Sequence, residues 1–190
     1  MKRFTILFIL LVVILLVYVQ WELKDIPDQG MYCIIGKGRA TKQMMFKYIR
    51  QYNTKIDSLR LRYIIECYQW ESVFEGVNCD VAFAQMCHET NFLKFDGNID
   101  INQNNFNGLG TMVYDIYWAY FFTIKEGIRA HVQHLKAYGS KESLQNPCVD
   151  PRFDVVKKGS VKCARNLNSK WSGPEYGKGL EKKIDMLLSM

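Results

Sequence analysis

The amino-acid sequence predicts a mostly helical α+β domain that carries one small irregular or β element and follows a single N-terminal transmembrane helix. An apolar run near the N-terminus has the length and flanking residues of a membrane segment. Apolar residues then recur three and four positions apart over several segments, which is the period of amphipathic helices. Between these segments lies a stretch rich in asparagine and glycine without a helical period, and this stretch predicts loops and short strands.

The N-terminal segment, residues 1–21, is predicted to be an uncleaved signal anchor. Residues 4–19 are apolar except for one threonine, and the run is preceded by Lys2 and Arg3 and closed by Trp21. At the helical rise per residue the segment spans roughly 27 Å, enough for a thin bilayer core. A cleaved signal peptide is the main alternative, but the bulky residues that end the run disfavour cleavage. Because the basic residues precede the run, the rest of the chain is predicted to lie outside the cytoplasm.

Composition narrows the possible functions. The chain has 190 residues, with 25 Lys+Arg against 19 Asp+Glu and a formal net charge of +6. This balance suits an anionic cell envelope or a polyanionic glycan, or serves solubility alone, and no aromatic and basic module predicts nucleic-acid binding. The six cysteines include no Cys-x-x-Cys pair and no zinc-type spacing with histidine, so we expect no metal or other cofactor. A disulfide between Cys148 and Cys163 is a further hypothesis, since these residues flank a loop-like segment.

The globular domain is expected over residues 40–190, after a linker at residues 22–39 that contains glycine and proline without a sustained period. The irregular stretch covers residues 94–120. Thr123 and Glu126 form a predicted capping box at the start of a helix. In order, the apolar period predicts helices at about 41–53, 55–74, 78–92, 123–139, 162–169 and 174–188.

Glu89 is the candidate catalytic residue. It shares one face of the third predicted helix with less polar residues, namely Val81, Ala82, Gln85 and Met86. Desolvation at the end of this stripe and the negative end of the helix macrodipole both raise the pKa of a carboxyl group. A raised pKa is what a general acid needs at neutral pH. The alternative, which periodicity alone leaves open, is a glutamate in the last turn that points to solvent.

Other catalytic patterns are incomplete. The segment 88–92 begins like the zinc-protease helix motif, but Phe92 stands where the second histidine is required. His131 and His134 lie three apart on a predicted helix without a third ligand nearby in sequence, so we interpret them as core or surface histidines. Cys87 and its histidine neighbour point about 100° apart on a helix and therefore make no dyad.

Four motifs in the same order resemble the glucosaminidase domain of glycoside hydrolase family 73. They lie between about residues 78 and 188, and together they are far more specific than any one of them. The motifs are Val81-Ala82-Phe83-Ala84-Gln85-Met86-Cys87-His88-Glu89-Thr90, then Asn104-Asn105-Phe106-Asn107-Gly108-Leu109-Gly110, then Phe122-Thr123-Ile124-Lys125-Glu126-Gly127-Ile128-Arg129-Ala130-His131, and last Lys170-Trp171 followed by Pro174-Glu175-Tyr176-Gly177.

The resemblance implies a lysozyme-like fold and cleavage of the β-1,4 bond after N-acetylglucosamine in peptidoglycan. On this reading Glu89 is the catalytic acid and Tyr176 is an active-site tyrosine. Asn105, Phe106 and Gly108 would shape the cleft floor and bind substrate. The partners would be the glycan strands and, through the predicted anchor, the bacterial cytoplasmic membrane, with the catalytic domain in the periplasm or outside the cell.

Aromatic residues offer faces on which a sugar ring could lie. Trp118 is the expected substrate-binding tryptophan, whereas Trp171 fits a core aromatic better.

The second carboxylate that glycosidases usually need is not marked by a motif. Asp96, Asp100 and Asp115 all lie in the variable region, and we prefer Asp100 because it stands in the asparagine-rich loop. The substrate's own 2-acetamido group is the alternative nucleophile. Two other functions stay open at this point, namely a lytic transglycosylase of the same fold and a wall-binding module without catalysis.

Overall fold

The computed structural model describes Val12 and residues 32–110, 118–168 and 170–190. The predicted anchor falls almost wholly outside this part of the chain. Among the described residues, no helix is both long enough and apolar enough to cross a membrane.

Five α-helices supply nearly all the regular secondary structure of the described domain, which confirms the mostly helical class and fits a lysozyme-like arrangement. Short 3-10 helices at Ile101–Gln103, Phe153–Val155 and Ala164–Leu167 connect them. In place of strands, the described residues carry isolated β-bridges, one of which pairs Gly110 with Trp118 beside the residues 111–117 that lie outside the description. The α-helices are α1 Lys42–Tyr52, α2 Ser58–Glu75, α3 Cys79–Glu89, α4 Ile124–Gly139 and α5 Tyr176–Leu188.

Local signals account for most helix ends. Thr123 caps α4 by accepting from the backbone N–H of Glu126 at 3.1 Å, as predicted, while the Glu126 side chain accepts from the N–H of Phe122 at 2.9 Å. Gly76 ends α2 in the left-handed region, with a φ of 69°. The predicted helix at 162–169 is reduced to the single 3-10 turn Ala164–Leu167.

The predicted linker is wrong from Tyr32 onward, because this segment belongs to the domain. Ile34 is fully buried in the core. Its N–H donates to the carbonyl of Lys162 at 2.9 Å, and its carbonyl accepts from the N–H of Asn78 at 2.8 Å. Burial and these long-range bonds outweigh the local glycine content that suggested a linker.

The helix α3 lies at the centre of the domain. All nine residues from Cys79 to Cys87 are buried, and the helix packs against α2, α4 and α5. In its first turn, Asp80 accepts from the backbone N–H groups of Arg39 at 2.7 Å and Ala40 at 2.9 Å, and these bonds hold the segment before α1 against the helix. Because a helix surrounded on all sides is closely packed, its side chains are restricted to few conformations.

Buried charges join α2 to α4. Glu71 is fully buried and receives two bonds from the Arg129 guanidinium, at 3.0 and 3.2 Å. Glu75, also buried, lies 3.4 Å from the Lys136 ammonium. Removing one member of such a pair leaves an uncompensated charge in the interior, so these contacts fix how the two helices sit against each other.

The structure does not place the cysteines as the predicted disulfide between Cys148 and Cys163 requires. All six cysteines are free thiols, and Cys33, not Cys148, is the residue directly opposite Cys163 across a β-bridge. The Cys148 thiol is instead directed to the carbonyl of Asp150, at 3.6 Å. The hypothesis of a bond between Cys148 and Cys163 therefore finds no support in the fold.

Candidate active site

Glu89 is the last residue of α3, where this buried helix reaches the surface. The predicted helix continued to residue 92, but the backbone turns sharply because Asn91, Phe92 and Leu93 all have positive φ angles, of 45°, 58° and 61°. The Thr90 hydroxyl donates to the Met86 carbonyl at 2.7 Å and closes the last turn. Glu89 is thereby left partly exposed at the end of the helix, with the buried residues of α3 behind it.

Burial raises the pKa of the Glu89 carboxyl group, in the direction that the sequence predicted. Hydrogen bonds from Tyr176 and Trp171 act in the opposite direction and lower this pKa, because they stabilise the carboxylate. Two opposing effects therefore act on the pKa of this carboxyl group, and burial is the larger of them.

Tyr176, the first residue of α5, holds one oxygen of that carboxyl group. Its hydroxyl donates a short hydrogen bond to Glu89 Oε1 and accepts one from Gln85 Nε2 at 2.8 Å. Burial, followed by the nearby charge of Glu89, raises the pKa of Tyr176 well above its ordinary value. The phenol therefore stays protonated and acts as a donor to Glu89.

The polar chain continues into the core. Gln85 Oε1 lies 3.0 Å from His131 Nε2, and His131 Nδ1 lies 2.9 Å from the Tyr68 hydroxyl. Burial lowers the pKa of His131 to about 3, so its ring is neutral. Since the amide oxygen can only accept, the proton sits on Nε2 and Nδ1 accepts from Tyr68. Each group thus donates to the next along the sequence Tyr68, His131, Gln85, Tyr176 and Glu89.

Gly108 brings the backbone close to the other carboxyl oxygen. A Cβ atom at this glycine would lie 3.7 Å from Glu89 Oε2, 3.7 Å from Ile99 Cδ1 and 3.7 Å from Trp118 Cζ3. Its φ of +68° is in the left-handed region that favours glycine. The Oε2 atom therefore lies beside Gly108, with Ile99 and Trp118 on the same side, and we take these three residues as the wall of the predicted cleft.

Asn105 and Phe106 support the cleft floor from beneath, because both side chains are fully buried. Asn105 Nδ2 donates to the carbonyls of Leu109 at 2.8 Å and Ala119 at 3.1 Å, and its Oδ1 accepts from the Leu109 N–H at 3.0 Å. Phe106 packs edge-on against Tyr68, with ring centroids 6.3 Å apart. The prediction that these two side chains bind substrate is therefore corrected to a supporting role.

Two tryptophans border Glu89. Trp118, the predicted sugar-binding residue, is partly exposed beside Gly108. Trp171, predicted to be a core aromatic, lies near enough to Glu89 to lower the pKa of its carboxyl group, and it packs edge-on against His134 with centroids 5.1 Å apart. Sequence reasoning did not assign Trp171 a role at Glu89, although the short motif that contains it was recognised.

Gln85 and His131 were also missed as site residues. The available signal was an amide four residues before Glu89 on an otherwise apolar helix face, since a buried amide requires polar partners.

Asp100 lies in an exposed position and caps the 3-10 helix Ile101–Gln103. Its Oδ1 accepts from the N–H of Asn102 at 2.7 Å. Asp96 accepts from the Asn91 side chain at 2.7 Å, and Asp115 lies outside the described residues. In the described ranges, no group of three or more His, Cys, Asp or Glu is arranged to hold a metal ion.

Comparisons with known proteins show the family to which this chain belongs. The glucosaminidase family, described as mannosyl-glycoprotein endo-β-N-acetylglucosaminidase, matches residues 66–187, a range that contains α3, Gly108 and Tyr176. A protein of Borreliella burgdorferi described only as uncharacterized is 39% identical over 156 residues, covering 82% of this chain and 76% of its own. No solved structure matches the chain significantly. The chain therefore belongs to the glucosaminidase family and is a glycoside hydrolase of the endo-β-N-acetylglucosaminidase type.

Proposed function

We propose that this peptidoglycan hydrolase uses Glu89 as the general acid that protonates the glycosidic oxygen of the β-1,4 bond after N-acetylglucosamine. The observation that carries the proposal is the asymmetry of the Glu89 carboxyl group. Tyr176 holds Oε1 from the protein side, whereas Oε2 faces the cleft wall at Gly108 and Trp118. A proton on Oε2 would be directed at a glycan bound in the cleft.

The surroundings suit both states of this acid. Burial favours the protonated carboxyl group before the reaction. After proton transfer, the hydrogen bonds from Tyr176 and Trp171 stabilise the carboxylate that has formed. An acid that loses and regains a proton in each cycle needs both influences, because either one alone would trap a single state.

The second catalytic group is a separate part of the proposal. Asp100 remains our predicted second carboxylate, and the 2-acetamido group of the substrate remains the alternative. Asn also caps helices, so Asp100→Asn preserves the cap and removes only the charge. A large loss of turnover in this variant supports Asp100, whereas turnover close to wild type supports the acetamido group.

The decisive experiment compares wild-type protein with Glu89→Gln on purified peptidoglycan. The variant keeps the shape and most hydrogen bonding but lacks the proton, so turnover should fall by roughly 10²–10⁴-fold or more while the fold survives. Glu66→Gln is a matched control, because Glu66 is exposed and paired with Lys42 at 3.1 Å on another part of the surface. Turnover close to wild type in a folded Glu89→Gln protein would exclude Glu89 as the acid.

The reaction products separate the proposal from its main alternative. Hydrolysis leaves reducing N-acetylglucosamine ends, whereas a lytic transglycosylase leaves anhydro sugars, and mass spectrometry of the digest distinguishes them. Binding to peptidoglycan without any cleavage by wild-type protein would indicate a wall-binding module.

The cellular location is also a proposal, and it rests on the sequence of residues 1–21 alone. We propose that the chain stays anchored in the cytoplasmic membrane of a bacterium, with its catalytic domain outside the cytoplasm. The full-length protein should then fractionate with membranes and be accessible to protease from outside. Recovery of a mature soluble form that begins near Glu22 would contradict the anchor.

A further inference from the structure

Three aromatic side chains stand in a row on the surface beside the cleft. Trp118, Tyr120 and Phe122 are 40%, 60% and 85% exposed, whereas the residues between them, Ala119 and Phe121, are each 4% exposed. Alternation with a period of two is the pattern of an extended chain with one face inward and one outward. We call the outward residues Trp118, Tyr120 and Phe122 the aromatic ridge.

Hydrogen bonds to the cleft loop hold the ridge in this register. The N–H of Ala119 donates to the carbonyl of Leu109 at 2.7 Å, and the N–H of Phe121 donates to the carbonyl of Gln103 at 2.9 Å. At the far end the N–H of Phe122 donates to Glu126 at the start of α4, at 2.9 Å. The inward residues are therefore fixed by the same loop that forms the cleft floor, and the outward rings are positioned in advance.

One end of the ridge lies next to Glu89. Trp118 belongs to both the ridge and the cleft wall, because its Cζ3 lies as close to the Gly108 position as Glu89 Oε2 does, at 3.7 Å. Tyr120 and Phe122 follow it, and their rings meet edge to face with centroids 6.0 Å apart. From the first to the last of these residues an extended chain covers about 13 Å. The ridge therefore begins beside the proposed acid and extends away from it along the surface.

We propose that the aromatic ridge is a second binding region for the glycan strand, which holds the polysaccharide beyond the bond that is cleaved. This inference rests on the proposed function, since it takes the cleft at Glu89 to hold a glycan. Aromatic faces offer apolar contact without a charged group, which suits the apolar faces of sugar rings. The position of the ridge beside the proposed acid selects the glycan as occupant, because one strand can occupy both regions at once and gain from each.

The test uses the full chain with two substrates, short tetrasaccharide fragments and long strands from the same peptidoglycan. In Tyr120→Ser/Phe122→Ser, the ratio of kcat/KM for long strands to that for fragments should fall by about tenfold, the order expected when two aromatic contacts are lost. The matched control is Trp70→Ser/Phe74→Ser. It also removes two exposed aromatics in contact, 4.9 Å apart on α2, and should keep the wild-type ratio.

A binding measurement makes the result independent of turnover. In the Glu89→Gln background, sedimentation with intact peptidoglycan sacculi should show a Kd about tenfold higher after the two ridge substitutions. An unchanged ratio and an unchanged Kd would overturn the ridge, and so would an equal effect of the control pair or equal losses on both substrates. If wild-type protein cleaves neither substrate, the proposed function fails, while the binding measurement still decides the ridge.

Discussion

Replacing Tyr176 with Phe tests how the protein controls its proposed acid. The substitution removes only the hydroxyl group that donates to Glu89 Oε1 and accepts from Gln85 Nε2 at 2.8 Å. The ring remains and continues to fill its place at the start of α5. Any effect therefore reports the two hydrogen bonds and not a cavity.

The two lost hydrogen bonds determine how far the stability and the turnover of this variant should fall. Gln85 Nε2 would become a buried donor without its partner, so the free energy of unfolding should fall by about 1–3 kcal/mol. A hydrogen bond to a charged group contributes about 1.5–3 kcal/mol, and its loss frees Glu89 to turn away from the substrate. Since each 1.36 kcal/mol is tenfold in rate, turnover near neutral pH should fall by roughly 10- to 100-fold.

The pH dependence of kcat/KM tests the role of Tyr176 further, because a purely structural role would not shift it. The bond from Tyr176 lowers the pKa of Glu89, against the larger effect of burial. Without this bond the pKa rises further. Because the protonated acid is the active form, the alkaline limb of kcat/KM should move to higher pH while the maximum falls. The assay is initial-rate cleavage of soluble glycan fragments from about pH 4 to pH 9, a range that brackets an ordinary and a raised carboxyl pKa.

Tyr48→Phe provides the matched control. The Tyr48 hydroxyl is buried in the core and has no hydrogen-bond partner among the residues that the structure describes. Its removal should leave the alkaline limb in place and should not lower stability. The reasoning about Tyr176 would be refuted by an alkaline limb that stays in place or moves to lower pH, or by turnover equal to wild type.

Two further predictions concern the scaffold. Burial lowers the pKa of His131 to about 3 from an ordinary 6.5, so the unfolded chain takes up a proton that the native state does not. Stability should therefore fall by up to about 1.4 kcal/mol per pH unit as the pH drops through this window. His131→Phe should flatten that slope in denaturant titrations, and an unchanged slope would contradict the assignment. Gly127→Ala would place a Cβ against the carbonyl oxygen of Asn104, so unfolding curves should show a loss of about 1–3 kcal/mol. Gly179→Ala, whose Cβ meets no described atom within 4 Å on α5, should instead gain about 0.5–1 kcal/mol, and equal effects of the two would be the contrary result.

Recognition of a motif did not reveal what each of its residues does. Asn105 and Phe106 were predicted to bind substrate because they stand beside Gly108 in a recognisable loop. The structure buries both and leaves only the glycine at the cleft wall. Whether a loop residue faces the ligand or the core depends on the elements packed beneath it, here Tyr68 of α2 among others. Residues near Asn105 and Phe106 in the sequence do not indicate which side of the loop will face the core.

The sequence by itself determined what depends on neighbours a few positions apart. Helical spacing located the five α-helices, and the apolar stripe that ends at Glu89 predicted a carboxyl group with a raised pKa. Short-range rules suffice there, because one turn of helix places residues three and four apart on the same face.

Only the tertiary structure decided how that acid is held. Gln85 and Tyr176 are 91 positions apart, Glu89 and Tyr176 are 87 apart, and Gln85 and His131 are 46 apart. The same holds for Ile34, whose core position depends on bonds to Asn78 and to Lys162. Such contacts form when distant segments pack together, and the favourable burial of polar groups then depends on whether each finds its partner. Local sequence patterns do not encode that pairing.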